Sequence, residues 1–213
     1  MDNGDAFSSG QPEGRALVFC NTHKFQTHGW NNETKQTPGY VATRGTHEYT
    51  HVFHGAYITE PATWLEEGSA EFLAFWLGGE KKYNVMGGFE EQMMLVMSHL
   101  QKSRRQHPGV GLADMEDIDR APTRARPLFH EIGYETGAWA TAFAIAQSGL
   151  GVQQFYKDFF PKCAPEKEGW RKALPAACKM KNLQEFYFMF EMFLQMDAEN
   201  HRKLLRGLTS LKA

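Results

Sequence analysis

The sequence predicts a mainly α domain with a small N-terminal β-sheet and a C-terminal helical bundle. Apolar residues recur at helical spacing over most of the chain after residue 46. Before that point, Arg15–Cys20 and Gly39–Thr43 are short and rich in β-formers, which predicts two strands. The 213 residues suit one domain. We therefore expect a flexible, polar lead-in over residues 1–14 and a single domain over residues 15–213.

The helices are predicted from apolar spacing and from the Gly and Pro residues that separate them. Thr63 is the predicted N-cap of the second helix. The predicted helices are approximately Thr46–Ala56, Trp64–Leu77, Phe89–Arg105, Tyr134–Gln147, Val152–Phe160, Gly169–Met180 and Leu183–Leu205.

Two of these helices carry distinctive apolar patterns. Phe186–Met196 is the most apolar segment, but it is too short to span a bilayer and contains Glu191, so we expect a buried core helix. In the third helix, residues at helical spacing predict a core-facing stripe. This stripe consists of Phe89, Met93, Val96, Met97 and Leu100.

Composition excludes some classes of function. The formal net charge is −2 with both signs mixed along the chain, which argues against a nucleic-acid surface. No apolar run reaches the length of a transmembrane helix. The three cysteines allow either a Cys163–Cys178 disulfide or three free thiols. The oligomeric state is not indicated.

The stretch His47-Glu48-Tyr49-Thr50-His51 has the pattern H-E-x-x-H. On a helix, positions i and i+4 lie on one face, so both imidazoles can face one metal ion. Glu48 lies between them and is a candidate general base rather than a ligand. Neutral imidazoles together with a carboxylate suit Zn²⁺, and we expect one ion per chain.

A third ligand is predicted in the segment Trp64–Phe72, which reads W-L-E-E-G-S-A-E-F. Together with H-E-x-x-H, this segment resembles the gluzincins, the thermolysin-like and aminopeptidase-like zinc peptidases. The resemblance implies that Glu67 is the ligand. Glu66 is its competitor, and it points about 100° away on the same helix. The resemblance also suggests that Gly68 lets this helix approach the metal helix closely.

The resemblance implies roles for three further residues. Glu71, one turn after Glu67, would accept the second N–H of a ligating histidine, although a surface glutamate is an equal alternative. Tyr134-Glu135-Thr136-Gly137 is similar to the Y-E-x-G segment of aminopeptidase N-like enzymes, which implies that Tyr134 stabilises the oxyanion. His130 is the alternative donor, and His54 can edge the site.

The resemblance as a whole implies a zincin-like fold and a zinc-dependent hydrolase of peptides or proteins. A G-x-M-E-N segment, which grips the free amine in the aminopeptidases, does not occur, and this favours an endopeptidase. One of the two predicted strands would hold the substrate backbone. The alternatives are a zinc-binding domain with little turnover and a hydrolase of non-peptide amides or epoxides. Such peptidases are often exported, which favours a secreted or periplasmic protein, although residues 1–14 show no signal peptide.

Overall fold

The computed structural model describes residues 6–10, 16–20, 38–58, 60–79 and 88–210, and side chains from residue 43 onward within these ranges. Four short helical segments lie between the longer elements. They are the 3₁₀ turns Leu112–Met115, Arg126–Leu128 and Phe160–Cys163 and the π-helix His130–Thr136. The strands are β1 (Ala6–Gly10) and β2 (Ala16–Cys20), and the helices are α1 (Pro38–Gly55), α2 (Thr63–Gly78), α3 (Phe89–Gln106), α4 (Gly137–Ser148), α5 (Val152–Phe159), α6 (Trp170–Ala177), α7 (Leu183–Leu194) and α8 (Ala198–Ser210).

The predicted mainly α character is confirmed, but the prediction of a zincin-like fold with a small N-terminal β-sheet was wrong. Gly39–Thr43, predicted as a strand, lies in α1, and Pro38 is the first residue of that helix. At this position the missing N–H of proline costs nothing and its fixed φ favours the helix. Within the described ranges, β1 and β2 pair only with each other, as an antiparallel hairpin. The domain is therefore mainly α and has no catalytic sheet in the part that the structure describes.

Helix α2 is the central element of the domain. It packs against α1 on one side and against α4 and the π-helix on the other. Trp64 is fully buried at its start, and its indole N–H donates to the hydroxyl of Tyr187 on α7 at 3.3 Å. The predicted N-cap, Thr63, is instead the first helical residue, and its hydroxyl accepts the backbone N–H of Ile118.

Helix α4 is buried almost throughout, because its small residues let neighbouring helices approach closely. It is the continuation of the π-helix, and it ends at Gly149, whose φ of 74° favours glycine. Trp139 anchors it to α3 by donating its indole N–H to the carbonyl of Met93 at 3.0 Å. The segment predicted as one helix from Tyr134 therefore consists of a π-helical turn followed by an α-helix.

The predicted core stripe of the third helix is confirmed: all five of its residues are buried on α3. The prediction for Phe186–Met196 was wrong in one respect. Phe186, Phe190 and Phe193 face the core, but Phe188 and Met192 are exposed. None of the described helices has the length and apolarity needed to cross a bilayer.

The two cysteines with described side chains are free thiols. Cys163 donates to the carbonyl of Phe159, and Cys178 donates to that of Ala144. Burial raises the pKa of Cys178 to about 12, so this thiol is unreactive at neutral pH. The side chain of Cys20 and the segment 21–37 lie outside the described residues.

Candidate metal centre

Three side chains from two packed helices meet at one point. His47 and His51 lie one turn apart on α1, and Glu67 projects towards them from α2. The Nε2 atoms of the two histidines are 3.1 Å apart. The Glu67 Oε2 atom lies 3.3 Å from His47 Nε2 and 3.4 Å from His51 Nε2. Within the described residues, the ligand atoms of these three side chains are close enough together to bind one metal ion.

The donor spacing fits a four-coordinate metal ion. Ligand atoms about 2.0–2.1 Å from a tetrahedral ion such as Zn²⁺ are separated from one another by ~3.3 Å. The three edges of the His47, His51 and Glu67 triangle lie within about 0.2 Å of that separation. Two imidazoles and one carboxylate also form the donor set that leaves the fourth position of a catalytic site open.

Glu71 holds His47 in the orientation that a ligand requires. The Nδ1 atom of His47 lies 3.0 Å from Oε2 of Glu71, one turn along α2 from Glu67. With the proton on Nδ1 donated to this carboxylate, Nε2 presents its lone pair to the centre of the triangle. Glu71 is therefore in contact with a candidate ligand histidine, and its role behind a metal ligand stays a prediction.

The charges of this group are strongly coupled. Burial lowers the pKa of His47, but the bonds from Glu67 and Glu71 outweigh burial and raise it to about 9. Burial raises the pKa of Glu67, but its bonds to His47 and His51 outweigh burial and hold it well below its usual range. A metal ion can take the place of the proton that otherwise balances these carboxylates.

Glu66 and Glu67 are distinguished by their direction. Glu67 contacts the Nε2 atoms of both histidines, and its side chain is only 18% exposed. Glu66 is 38% exposed and lies 3.9 Å from Nδ1 of His51, on the ring's opposite side. That Nδ1 atom is buried and has no hydrogen-bond partner. The arrangement thus favours Glu67 over Glu66 as the ligand.

Glu48, the predicted general base, is buried and paired with Arg44. The guanidinium NH2 atom of Arg44 lies 2.8 Å from Glu48 Oε1, one turn earlier on α1. Arg44 also lies close enough to Tyr134 to lower the pKa of its hydroxyl, although burial and Glu67 outweigh this effect. A single guanidinium therefore pairs with the predicted base and lies near the predicted oxyanion donor.

Tyr134 lies over His47, one of the candidate metal ligands. Its ring stacks on that of His47, with the centroids 5.3 Å apart and the planes 6° apart. Its hydroxyl lies close enough to Glu67 and Arg44 for both side chains to affect its pKa. Burial and the Glu67 carboxylate raise its pKa well above the usual range, so the hydroxyl keeps its proton as a donor. The predicted competitor, His130, is exposed, and its ring stacks on that of Tyr134 with the centroids 5.3 Å apart.

The π-helix carries Tyr134 to this position because two glycines touch behind it. A Cβ atom on Gly68 would overlap the backbone of Gly137, and one on Gly137 would lie 2.8 Å from Gly68 Cα. Gly68 follows Glu67, and Gly137 lies three residues after Tyr134. The sequence prediction that Gly68 faces the metal helix was wrong, since it faces α4.

His54 belongs to the wall of the site. It is buried, its ring stacks on Phe160, and its Nε2 atom lies 3.0 Å from the hydroxyl of Ser69. Burial, followed by the nearby His51 and His47, lowers its pKa to about 3, so it is neutral at physiological pH. It therefore supports α1 against α2 and is outside the ligand triangle.

Sequence analysis missed Arg44. The signal was present, because Arg44 and Glu48 are separated by four residues, the spacing of helical ion pairs. The predicted strand Gly39–Thr43 obscured this signal, since it placed the start of the helix near Thr46. Once α1 begins at Pro38, Arg44 and Glu48 fall on one face.

Comparisons of the chain with family models, with characterised proteins and with solved structures found no match.

Proposed function

We propose that the protein is a zinc-dependent peptide-bond hydrolase, with His47, His51 and Glu67 as metal ligands. The observation that carries this proposal is the triangle of ligand atoms, whose edges of 3.1, 3.3 and 3.4 Å suit one tetrahedral ion. Glu48 lies between the two ligand histidines in sequence, as a general base for a metal-activated water requires. The substrate class, a peptide or protein, follows from the resemblance to the gluzincins.

The side chains divide the chemistry of amide hydrolysis among them. A bound Zn²⁺ would supply a Lewis acid that makes water nucleophilic near neutral pH. Glu48 accepts the proton of the attacking water and delivers it to the leaving amine. Tyr134 keeps its proton and donates a hydrogen bond to the developing oxyanion. Arg44 holds both groups, and Glu71 fixes the ring of His47.

The ligand set is tested by the metal content of neighbouring variants. Elemental analysis of the wild type should give one zinc ion per chain after purification in zinc-containing buffer. Glu67→Ala should lose this ion, and Glu66→Ala, the matched control on the next residue, should retain it. A wild type without zinc, or equal loss from both variants, would contradict the proposed site.

Hydrolysis is tested separately with a broad library of unmodified peptides. Glu48→Gln should keep its zinc and lose activity by about 100- to 10,000-fold, the usual contribution of a general base. Tyr134→Phe should also keep zinc and reduce kcat, because only its hydroxyl is removed. Tyr49→Phe is the control, since Tyr49 follows Glu48 on α1 but is 68% exposed.

A zinc-binding domain with little turnover is the second candidate, and one contact favours it. Arg44 lies 2.8 Å from Glu48, so the proposed base is already engaged in an ion pair. In that case the wild type would hold zinc but cleave no member of the peptide library, and Glu48→Gln would change neither property. Cleavage that depends on Glu48 excludes this candidate.

A further inference from the structure

The outer face of α7 is apolar, although it faces solvent. Phe188, Met189 and Met192 lie on it, and Met196 is the second residue after the helix; these side chains are 64, 42, 47 and 47% exposed. They make up four of the seven large apolar side chains that are exposed in the described ranges. Their clustering makes this face a candidate contact surface rather than a set of scattered residues. We call these four residues the α7 outer face.

The other side of α7 already accounts for the core. Phe186, Tyr187, Phe190 and Phe193 are buried against the domain. The four outer residues are therefore not needed to fill the interior. They expose an apolar area on the order of 400 Å², a size that is often functional on a monomer. Methionine and phenylalanine together form adaptable contacts, because the thioether packs favourably against aromatic rings.

The charges beside this face are arranged with opposite signs at its two ends. Lys179 and Lys181 precede α7, whereas Asp197 and Glu199 follow it, and all four are exposed. Lys181 and Asp197 are equally far from Met189 along the chain. Two copies of the helix packed antiparallel and crossing near Met189 would bring each Lys181 beside the other copy's Asp197. These two Lys181–Asp197 pairs would be complementary in charge, as a two-fold interface requires.

We infer that the α7 outer face is a homodimer interface in which two copies of α7 pack antiparallel. Stable interfaces bury about 800 Å² per partner, and the apolar patch is smaller, so the dimer is weak and depends on concentration. A membrane surface is a poorer occupant, because anionic lipids attract Lys and Arg, and the acidic end of the face opposes them. This inference is independent of the proposed hydrolase activity.

Sedimentation velocity over about 1 µM to 1 mM protein tests the interface. The wild type should pass from monomer to dimer, and Met192→Glu should weaken the dimer about tenfold or more by placing a charge in the apolar contact. Leu95→Glu is the matched control, because Leu95 is also 47% exposed but lies on α3. Circular dichroism and thermal unfolding should show that both variants remain folded.

A charge-swap pair tests the antiparallel arrangement itself. Lys181→Glu and Asp197→Lys should each weaken self-association, since every junction then joins like charges. A mixture of the two variants should dimerise again, because both junctions of the mixed dimer join opposite charges. A wild type that is monomeric throughout, a dimer unaffected by Met192→Glu, or no recovery in the mixture would overturn the inference. Binding of a monomeric wild type to anionic lipid vesicles would also overturn it.

Discussion

Gly68 and Gly137 are in backbone contact where α2 crosses α4. Gly68 directly follows Glu67, and Gly137 lies three residues after Tyr134. The contact therefore sets the distance between a proposed metal ligand and the tyrosine that stacks on His47. The glycine of the W-L-E-E-G segment and the glycine of the Y-E-T-G segment are thus both required by the same contact between helices.

Adding a methyl group at this crossing should separate α2 from α4. Gly68→Ala places its Cβ on the backbone of Gly137, which cannot move without shifting a buried helix. We expect a loss of about 1–3 kcal/mol in the free energy of unfolding and weaker metal binding. Denaturant unfolding and a zinc titration measure the two effects.

Gly207→Ala is the control for this substitution. Gly207 is helical, and a Cβ there would meet nothing within 4 Å. Alanine should therefore raise the free energy of unfolding by about 0.5–1 kcal/mol through helix propensity, with zinc affinity unchanged. Equal behaviour of the two variants would show that the Gly68–Gly137 contact does not determine the geometry of the site.

Glu71 should determine the affinity for metal rather than the metal stoichiometry. Glu71→Gln preserves shape but removes the negative charge that makes His47 a better ligand. We expect zinc affinity to fall about 10- to 100-fold, the usual effect of such a partner. A competition titration with a chelator measures it. Glu91→Gln on the exposed face of α3 should leave the affinity unchanged, and an equal loss there would contradict this role.

Arg44 should act by positioning Glu48 and Tyr134. Arg44→Met removes the 2.8 Å ion pair with Glu48 and the positive charge near Tyr134, and it leaves the three proposed ligands intact. We expect unchanged zinc content and a fall in kcat of about 10- to 100-fold, with little change in KM. Arg44→Lys should recover part of kcat, because it restores the charge without the forked geometry.

The control for Arg44 is Arg120→Met, because the Arg120 side chain is 89% exposed and forms an ion pair with Asp117 at the surface. This variant should keep the wild-type kcat. If Arg44→Met lost zinc, or if it changed the stability of the fold alone, a positioning role would be excluded.

The sequence predicted a helix and its buried face well where the apolar residues all lie on one face. The stripe of α3 is an example, since every predicted member is buried. Spacing failed at Gly39–Thr43, because β-branched residues and glycine have low helix propensity and the preceding proline determined the conformation instead. Spacing also failed to predict which face of Phe186–Met196 is buried, since apolar residues occur on both faces of this segment.

The candidate site was predictable to the extent that its geometry is local. His47 and His51 share a face because of their four-residue spacing, and Glu67 with Glu71 do so for the same reason. The contacts between helices were not local. The meeting of Gly68 with Gly137 depends on how α2 crosses α4, which no spacing along the chain specifies.

Glu135 is buried beside the candidate site. Its Oε2 atom has no partner in the described structure, and its Oε1 atom lies 3.4 Å from His99 Nδ1. Burial, and then the charges of Glu131 and Glu71, raise its pKa from 4.5 to about 8. Between these two values the folded protein binds a proton that the unfolded chain has released.

Stability should therefore fall as pH rises from about 4.5 to about 8, by up to about 1.4 kcal/mol per pH unit from this group. Glu135→Gln mimics the protonated carboxyl and should remove this contribution. Urea unfolding should find the variant close to the wild type near pH 4.5 and more stable near pH 8. Glu166→Gln, an exposed control on the connection before α6, should follow the wild type at every pH. A constant difference between Glu135→Gln and the wild type across this range would mean that Glu135 does not titrate there in the folded protein, which would contradict this prediction.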